Sequence, residues 1–112
     1  MAKLFSRVRV ETSTTGTGDV TIGAPVAGFT SFANAGVVDG DTVSYVIEDG
    51  AGYEIGTGVY TASGTTLTRN VIQSSNSNSA LSLTGNAELF LSLNSNDVYT
   101  QDQAIGITIA LG

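Results

Sequence analysis

The chain has 112 residues, 41% of them hydrophobic and only 12% charged. That is enough apolar material for one core and too little charge for a disordered coil. A formal net charge of −6 leaves little to gain from releasing counterions on a phosphate backbone, so nucleic acid is excluded as an expected partner.

Glycine, threonine and serine fill much of the remainder, which favours short strands and tight turns over helices. The chain contains no cysteine and no histidine. Disulfides, thiolate metal sites and His-based nucleophilic systems are therefore excluded, and no metal or cofactor is expected. A domain this small without disulfides looks to oligomerisation or docking on a large assembly for added stability. The region after Met1 lacks the apolar run of a signal peptide, and no 18-residue apolar stretch occurs, so no membrane association is expected.

In chain order, residues 4–12 alternate. Leu4, Val8 and Val10 fall on one face, and Arg7, Arg9 and Glu11 on the other, the pattern of a half-buried strand. Lys3, Arg7 and Arg9 are three of the four basic residues. They make residues 1–10 a basic patch on an acidic body and a candidate docking arm for an acidic partner, set against the plainer role of a solvated strand face. A polar turn leads to a second short strand at Val20 and Ile22, broken by Gly23 and Pro25. Residues 30–36 form the one predicted helix, capped by Thr30 or Ser31, with Phe32 and Ala33 packing and Gly36 ending it.

Residues 41–49 read as a strong strand with Val43, Tyr45 and Ile47 on one face. Residues 53–61 return, interrupted by Gly56 and Gly58 in the manner of a bulge or bend. Residues 65–72 pair back and complete an antiparallel meander. After a serine–asparagine loop come Leu81 and Leu83, a turn at Thr84-Gly85-Asn86, and a strand over 87–93 with Leu89, Leu91 and Leu93 on one face. Last, Ile105, Ile107, Ile109 and Leu111 alternate with Gly106, Thr108 and Ala110. An exposed strand of this kind would aggregate, so residues 100–112 are expected to pair, either within the fold or as subunit contacts between copies. The fold class is then all-β: a small antiparallel β-sandwich or barrel of roughly seven or eight short strands, with at most one short helix, in a single domain over 1–112.

Chemistry finds little to work with. Glu48, Asp49 and Glu54 flank one hairpin and could suggest paired carboxylates. However, Glu48 and Asp49 are adjacent and point to opposite faces, so a solvated turn is the simpler expectation. Asp39-Gly40-Asp41 lacks the spacing and closing glutamate of a calcium loop and reads as a turn. The aromatics are spread along the chain as packing residues. A carbohydrate-binding module would need Tyr45, Tyr53 and Tyr60 exposed on one sheet face; otherwise they belong to the core of the meander.

One ordered set of residues resembles a known family. It runs Arg7-Val8-Arg9-Val10-Glu11-Thr12, Thr14-Thr15-Gly16-Thr17-Gly18, Ala27-Gly28-Phe29, Ser31-Phe32-Ala33, Val46-Ile47-Glu48-Asp49-Gly50 and Tyr53-Glu54-Ile55-Gly56-Thr57-Gly58. Tyr60-Thr61-Ala62-Ser63-Gly64-Thr65-Thr66-Leu67-Thr68-Arg69 follows. Over residues 5–93 this is similar to the small β-domain of tailed-bacteriophage virion structural proteins, which stands at the N-terminus of tail fibres or alone as a minor structural protein. The resemblance implies attachment within a particle, no catalysis and no active site. It also implies a virion location after assembly in the bacterial host cytoplasm. No collagen-like, coiled-coil or receptor-binding region follows the β-domain in this sequence. That favours a capsid-surface decoration (cement) protein, with a tail, neck or baseplate adaptor for a fibre as the alternative. The expected partners are other virion proteins, the major capsid protein or tail and neck proteins, and further copies of the chain, with a trimer suited to capsid threefold points. Lys3, Arg7 and Arg9 are the candidate docking residues; Ile105, Ile107, Ile109 and Leu111 are the candidate subunit contacts.

Overall fold

The computed structural model describes residues 5–92. Lys3 and all of residues 93–112, including the candidate contacts Ile105, Ile107, Ile109 and Leu111, lie outside the described residues. The strands are β1 (Arg9–Thr12), β2 (Thr15–Gly16), β3 (Val20–Thr21), β4 (Thr42–Asp49), β5 (Gly52–Thr61), β6 (Thr66–Leu67), β7 (Asn70–Ser74), β8 (Leu83–Thr84) and β9 (Ala87–Leu91), with one helix, α1 (Phe32–Ala35). Seven of the strands form one curled antiparallel sheet, a half-barrel, in the order β1-β9-β4-β5-β6-β3, with β7 also paired to β5. β2 and β8 make a separate two-stranded ribbon. The fold is thus the barrel-like form of the expected small all-β class.

The sheet's inner face follows from period-two alternation. On β4, Val43, Tyr45 and Ile47 are fully buried, and their partners on β5 are Gly58, Gly56 and Glu54. β9 adds Ala87, Leu89 and Leu91, and β1 adds Val10. The glycines on β5 make room for their neighbours. A Cβ at Gly56 would stand 2.7 Å from Tyr45 Oη and inside contact distance of the Asn70 carbonyl. A Cβ at Gly58 would meet Leu67 at 2.8 Å. The expected interruption of this strand is a register shift against β7 between Ile55 and Gly56, which leaves Ile72 without an opposite residue.

The meander forms as expected, but its third strand is divided into β6 and β7. The helix is a single turn. Ser31 Oγ accepts the Asn34 N–H, Gly36 closes it at φ 101°, and Phe32 is buried against Tyr60 with ring centroids 5.2 Å apart. Ala33 points outward, and Ala35 takes the packing position expected of it.

The first strand is shorter than its alternation suggests. Arg7 has φ 57°, a left-handed turn that ends the extended chain just before Val8, so β1 begins at Arg9. The turn presents the Arg7 carbonyl to the Thr30 N–H at 2.8 Å and to Thr30 Oγ1 at 2.9 Å. It belongs to a longer seam: the Glu11 N–H donates to Ala24 O, the Gly23 N–H to Glu11 O, and the Val26 N–H to Arg9 O, each at 2.9 Å. The chain after β3 therefore leaves β6 and runs along β1, tying together the two ends of the strand order.

Candidate functional site

Two clusters of charged side chains stand out, one on the outer face of the sheet and one inside. The outer cluster contains the docking residues expected from the sequence. Cross-strand register lines up Arg9, Phe90, Val46, Ile55 and Gln73 in one row across β1, β9, β4, β5 and β7. Beside it lies a second row of Glu11, Glu88, Glu48 and Tyr53. Like charges placed directly opposite repel, and Arg9 offsets this: its Nε donates to Glu88 at 2.6 Å and its Nη2 to Glu48 at 2.8 Å. The hydrogen bond to Glu48 is the largest factor raising the Arg9 pKa above its ordinary value.

The guanidiniums of Arg7 and Arg9 lie 4.6 and 6.0 Å from the Phe29 ring centre, and that of Arg9 lies 4.7 Å from Phe90. Arg7 Nη2 also donates to the Gly28 carbonyl at 2.6 Å. The structure thus brings Arg7 and Arg9 together, but as members of an aromatic and ionic ladder. Arg9 is compensated by two carboxylates, Glu48 and Glu88, on its own sheet. Arg7, exposed beside a partly exposed Phe29, keeps a surface position.

The inner cluster was not legible as a site. Glu54 falls on the core face with Gly56 and Gly58, and its side chain is fully buried against Arg69, whose own side chain is 2% exposed. Arg69 Nε donates to Glu54 Oε2 at 2.9 Å, and Nη2 donates to Glu54 Oε1. Nη2 also donates to Leu81 O at 2.8 Å, and Nη1 to Gly16 O and Gly18 O at 3.2 Å each. These contacts employ all five guanidinium N–H groups. The carboxylate in turn accepts Tyr45 Oη at 2.6 Å and the Leu81 N–H at 2.9 Å. Burial pushes the Glu54 carboxyl up, but the bonds from Arg69, Tyr45 and Leu81 outweigh it and hold it below the ordinary carboxylate range. Burial and then the bond to Glu54 push the Tyr45 phenol far above its usual value.

This centre fastens the β2 turn and the segment before β8 to the body of the sheet. Asp49 adds to the fastening by accepting the Thr84 N–H at 2.8 Å and Thr84 Oγ1 at 2.9 Å. The three hairpin carboxylates therefore have separate tasks: Glu48 outside on Arg9, Asp49 on Thr84, and Glu54 in the core. The expectation of a solvated turn fails for Glu54, because strand parity turns it inward. Its signal in the sequence was Arg69, the single basic residue after position 9.

Asp39 and Asp41 act in turns. Asp39 Oδ1 accepts the Ala62 N–H and Asp41 Oδ2 the Val38 N–H, each at 3.0 Å. The tyrosines do not form a sugar platform: Tyr45 and Tyr60 are buried on the inner face, while Tyr53 faces outward. A groove of about 360 Å³ beside β1 and β9 is lined by Glu11, Thr12, Gly23, Asn86 and Glu88 among others. Among the described residues no group of three or more His, Cys, Asp or Glu is placed to hold a metal ion, and no helix is long and apolar enough to cross a membrane. No family model, curated protein or solved structure matches the chain.

Proposed function

We propose that the chain is a non-enzymatic structural protein of a tailed-phage virion, seated on the capsid surface as a decoration protein. The observation that carries this reading is where the residues of the family resemblance fall. Gly16 and Gly18 from one motif, Glu54 from a second and Arg69 from a third meet in a single hydrogen-bonded centre. Residues scattered along the sequence thus share one task, setting the shape of the module, as expected of the signature of a fold whose work is attachment. The buried carboxylate has its acceptor positions filled and is closed to chemistry. The surface ladder of Arg7, Phe29, Arg9 and Phe90 offers a mixed apolar and charged face of the kind that neighbouring subunits cover.

Attachment would act by area burial. At roughly 25 cal/mol per Å² of apolar surface, modest contacts repeated over a shell reinforce it. The test is cryo-electron microscopy of particles purified from the host that makes this chain, with density traced for it. A regular array on the shell is the expected result. Density at the tail, neck or baseplate would replace decoration with the adaptor role, and particles lacking the chain would overturn the virion reading altogether.

A further inference from the structure

We propose that β7 is an acceptor edge, and that residues 105–111 of a second copy of this chain pair with it as an added strand. Elsewhere the border of the sheet is engaged: at β3, Thr12 Oγ1 donates to Thr21 O at 2.7 Å and the Thr21 N–H donates to Thr14 Oγ1 at 2.8 Å. β1 is bonded along its length by residues 23–26, through Glu11 to Ala24 and Val26 to Arg9. The third strand of the meander is covered by β3 only in its first part, at Thr66 and Leu67. At the far end, the Ser74 N–H is taken by Asn78 Oδ1 at 3.1 Å.

Between these points, Asn70, Val71 and Gln73 pair with β5 on one side, with Ile72 bulged among them. Among the described residues, no backbone group bonds to the other side of residues 70–73. Natural edges are guarded by charge, proline or a bulge. Asn70, Val71, Ile72 and Gln73 carry neither charge nor proline, which leaves the irregularity at Ile72 as the guard.

The occupant is indicated by the same sequence. Residues 105–111 are an uncharged alternation of Ile105, Ile107, Ile109 and Leu111 with small residues. Main-chain pairing to an open edge needs such a segment and little else. Every strand pair in the sheet is antiparallel, and an added strand that keeps this pairing selects a second copy over the chain's own end. β9 is antiparallel to β4, β4 to β5, and β5 to β7. A strand antiparallel to β7 therefore runs in the same sense as β9. Within one copy that arrangement demands a crossover lying on a face of the sheet. The connecting residues 93–104, with Asn94, Asn96, Asp97 and Gln101 among them, have no apolar stripe to lie there. A second copy meets no such demand.

This inference does not rest on the virion reading, because it concerns copies of the full chain in solution. The absence of cysteine makes cross-linking free of background. Full-length Gln73→Cys is mixed with full-length Ile107→Cys under mild oxidation, and Ile105→Cys and Ile109→Cys are run in parallel to scan register. Val38→Cys, an exposed position away from β7, replaces Gln73→Cys in the control. The expected result is a mixed disulfide between copies at one of the three positions, about tenfold or more above the control, as high local concentration dictates. Yields at control level in all three mixtures would overturn the proposal. So would a Gln73→Cys/Ile107→Cys double variant that closes only within itself while the mixtures stay unlinked, since that would assign the edge to the chain's own end. Circular dichroism of each variant against the parent sorts out any that fail to fold, and the three-position scan keeps the test decisive if one does.

Discussion

Replacing Arg69 by alanine removes five hydrogen bonds from the interior in one step. Glu54 is left with two of its four donors, Tyr45 Oη and the Leu81 N–H. The carbonyls of Gly16, Gly18 and Leu81 lose their Arg69 donor. Breaking a buried ion pair from one side costs about 3–5 kcal/mol, because the remaining charge is stranded. Small domains have roughly 5–15 kcal/mol in all, so the variant should stand near the limit of folding. With a urea dependence of roughly 1–3 kcal/mol per M, the unfolding midpoint should fall by about 2 M. The assay is equilibrium urea unfolding followed by far-ultraviolet circular dichroism and tyrosine fluorescence. A combined Tyr45→Phe, Glu54→Leu and Arg69→Met variant should recover most of the loss, since a packed apolar replacement strands no charge. A loss below about 1 kcal/mol for Arg69→Ala, the range of exposed pairs, would refute the view that this centre fastens the fold.

Other outcomes follow from the same geometry. Arg9→Ala should cost under about 1 kcal/mol, with the difference shrinking further in high salt, because its partners Glu48 and Glu88 are solvent-accessible; paired urea titrations at two salt concentrations check this. Glu54 has a folded-state pKa below its unfolded value of 4.5, so its contribution is present above that pH and is lost as pH falls through the folded value. Unfolding midpoints should therefore decline on the acid side, and Glu54→Gln should flatten that part of the profile. Tyr45 is shifted the other way. Its contribution is full below the unfolded phenol value of 10.0 and is lost as pH rises beyond it, so absorbance titration should find it silent until the protein unfolds in alkali. Gly56→Ala should destabilise by at least about 2 kcal/mol through overpacking against Tyr45 and β7, measured by thermal unfolding.

The meander and its buried face were legible because β4 and β5 alternate cleanly and nothing competes with that period. The helix was legible from Ser31 and Gly36, whose capping chemistry is local. The start of β1 was not, because the left-handed turn at Arg7 is set by hydrogen bonds to Thr30, and alternation carries no sign of a partner so far along the chain. The central ion pair was hidden for a related reason. Glu54 sits beside a hairpin, where a carboxylate usually meets water, and only the parity of β5 and the isolation of Arg69 hinted otherwise. The role of Arg9 depends on Glu88 being laid beside it, a matter of register that composition does not encode.

The place of β9 has a consequence for how the molecule is made. It lies between β1 and β4, and Arg9 near one end of the described chain pairs with Phe90 near the other. A ribosome therefore releases β1 and β4 long before the strand that joins them. Until it arrives, Val8 and Val10 on one side and Tyr45 and Ile47 on the other have no partner from β9 to cover them. Contacts so distant in sequence close slowly, and exposed strand borders invite association with other chains. A nascent chain stopped short of Ala87 should consequently accumulate in aggregates, with the meander formed and the first strand unmoored.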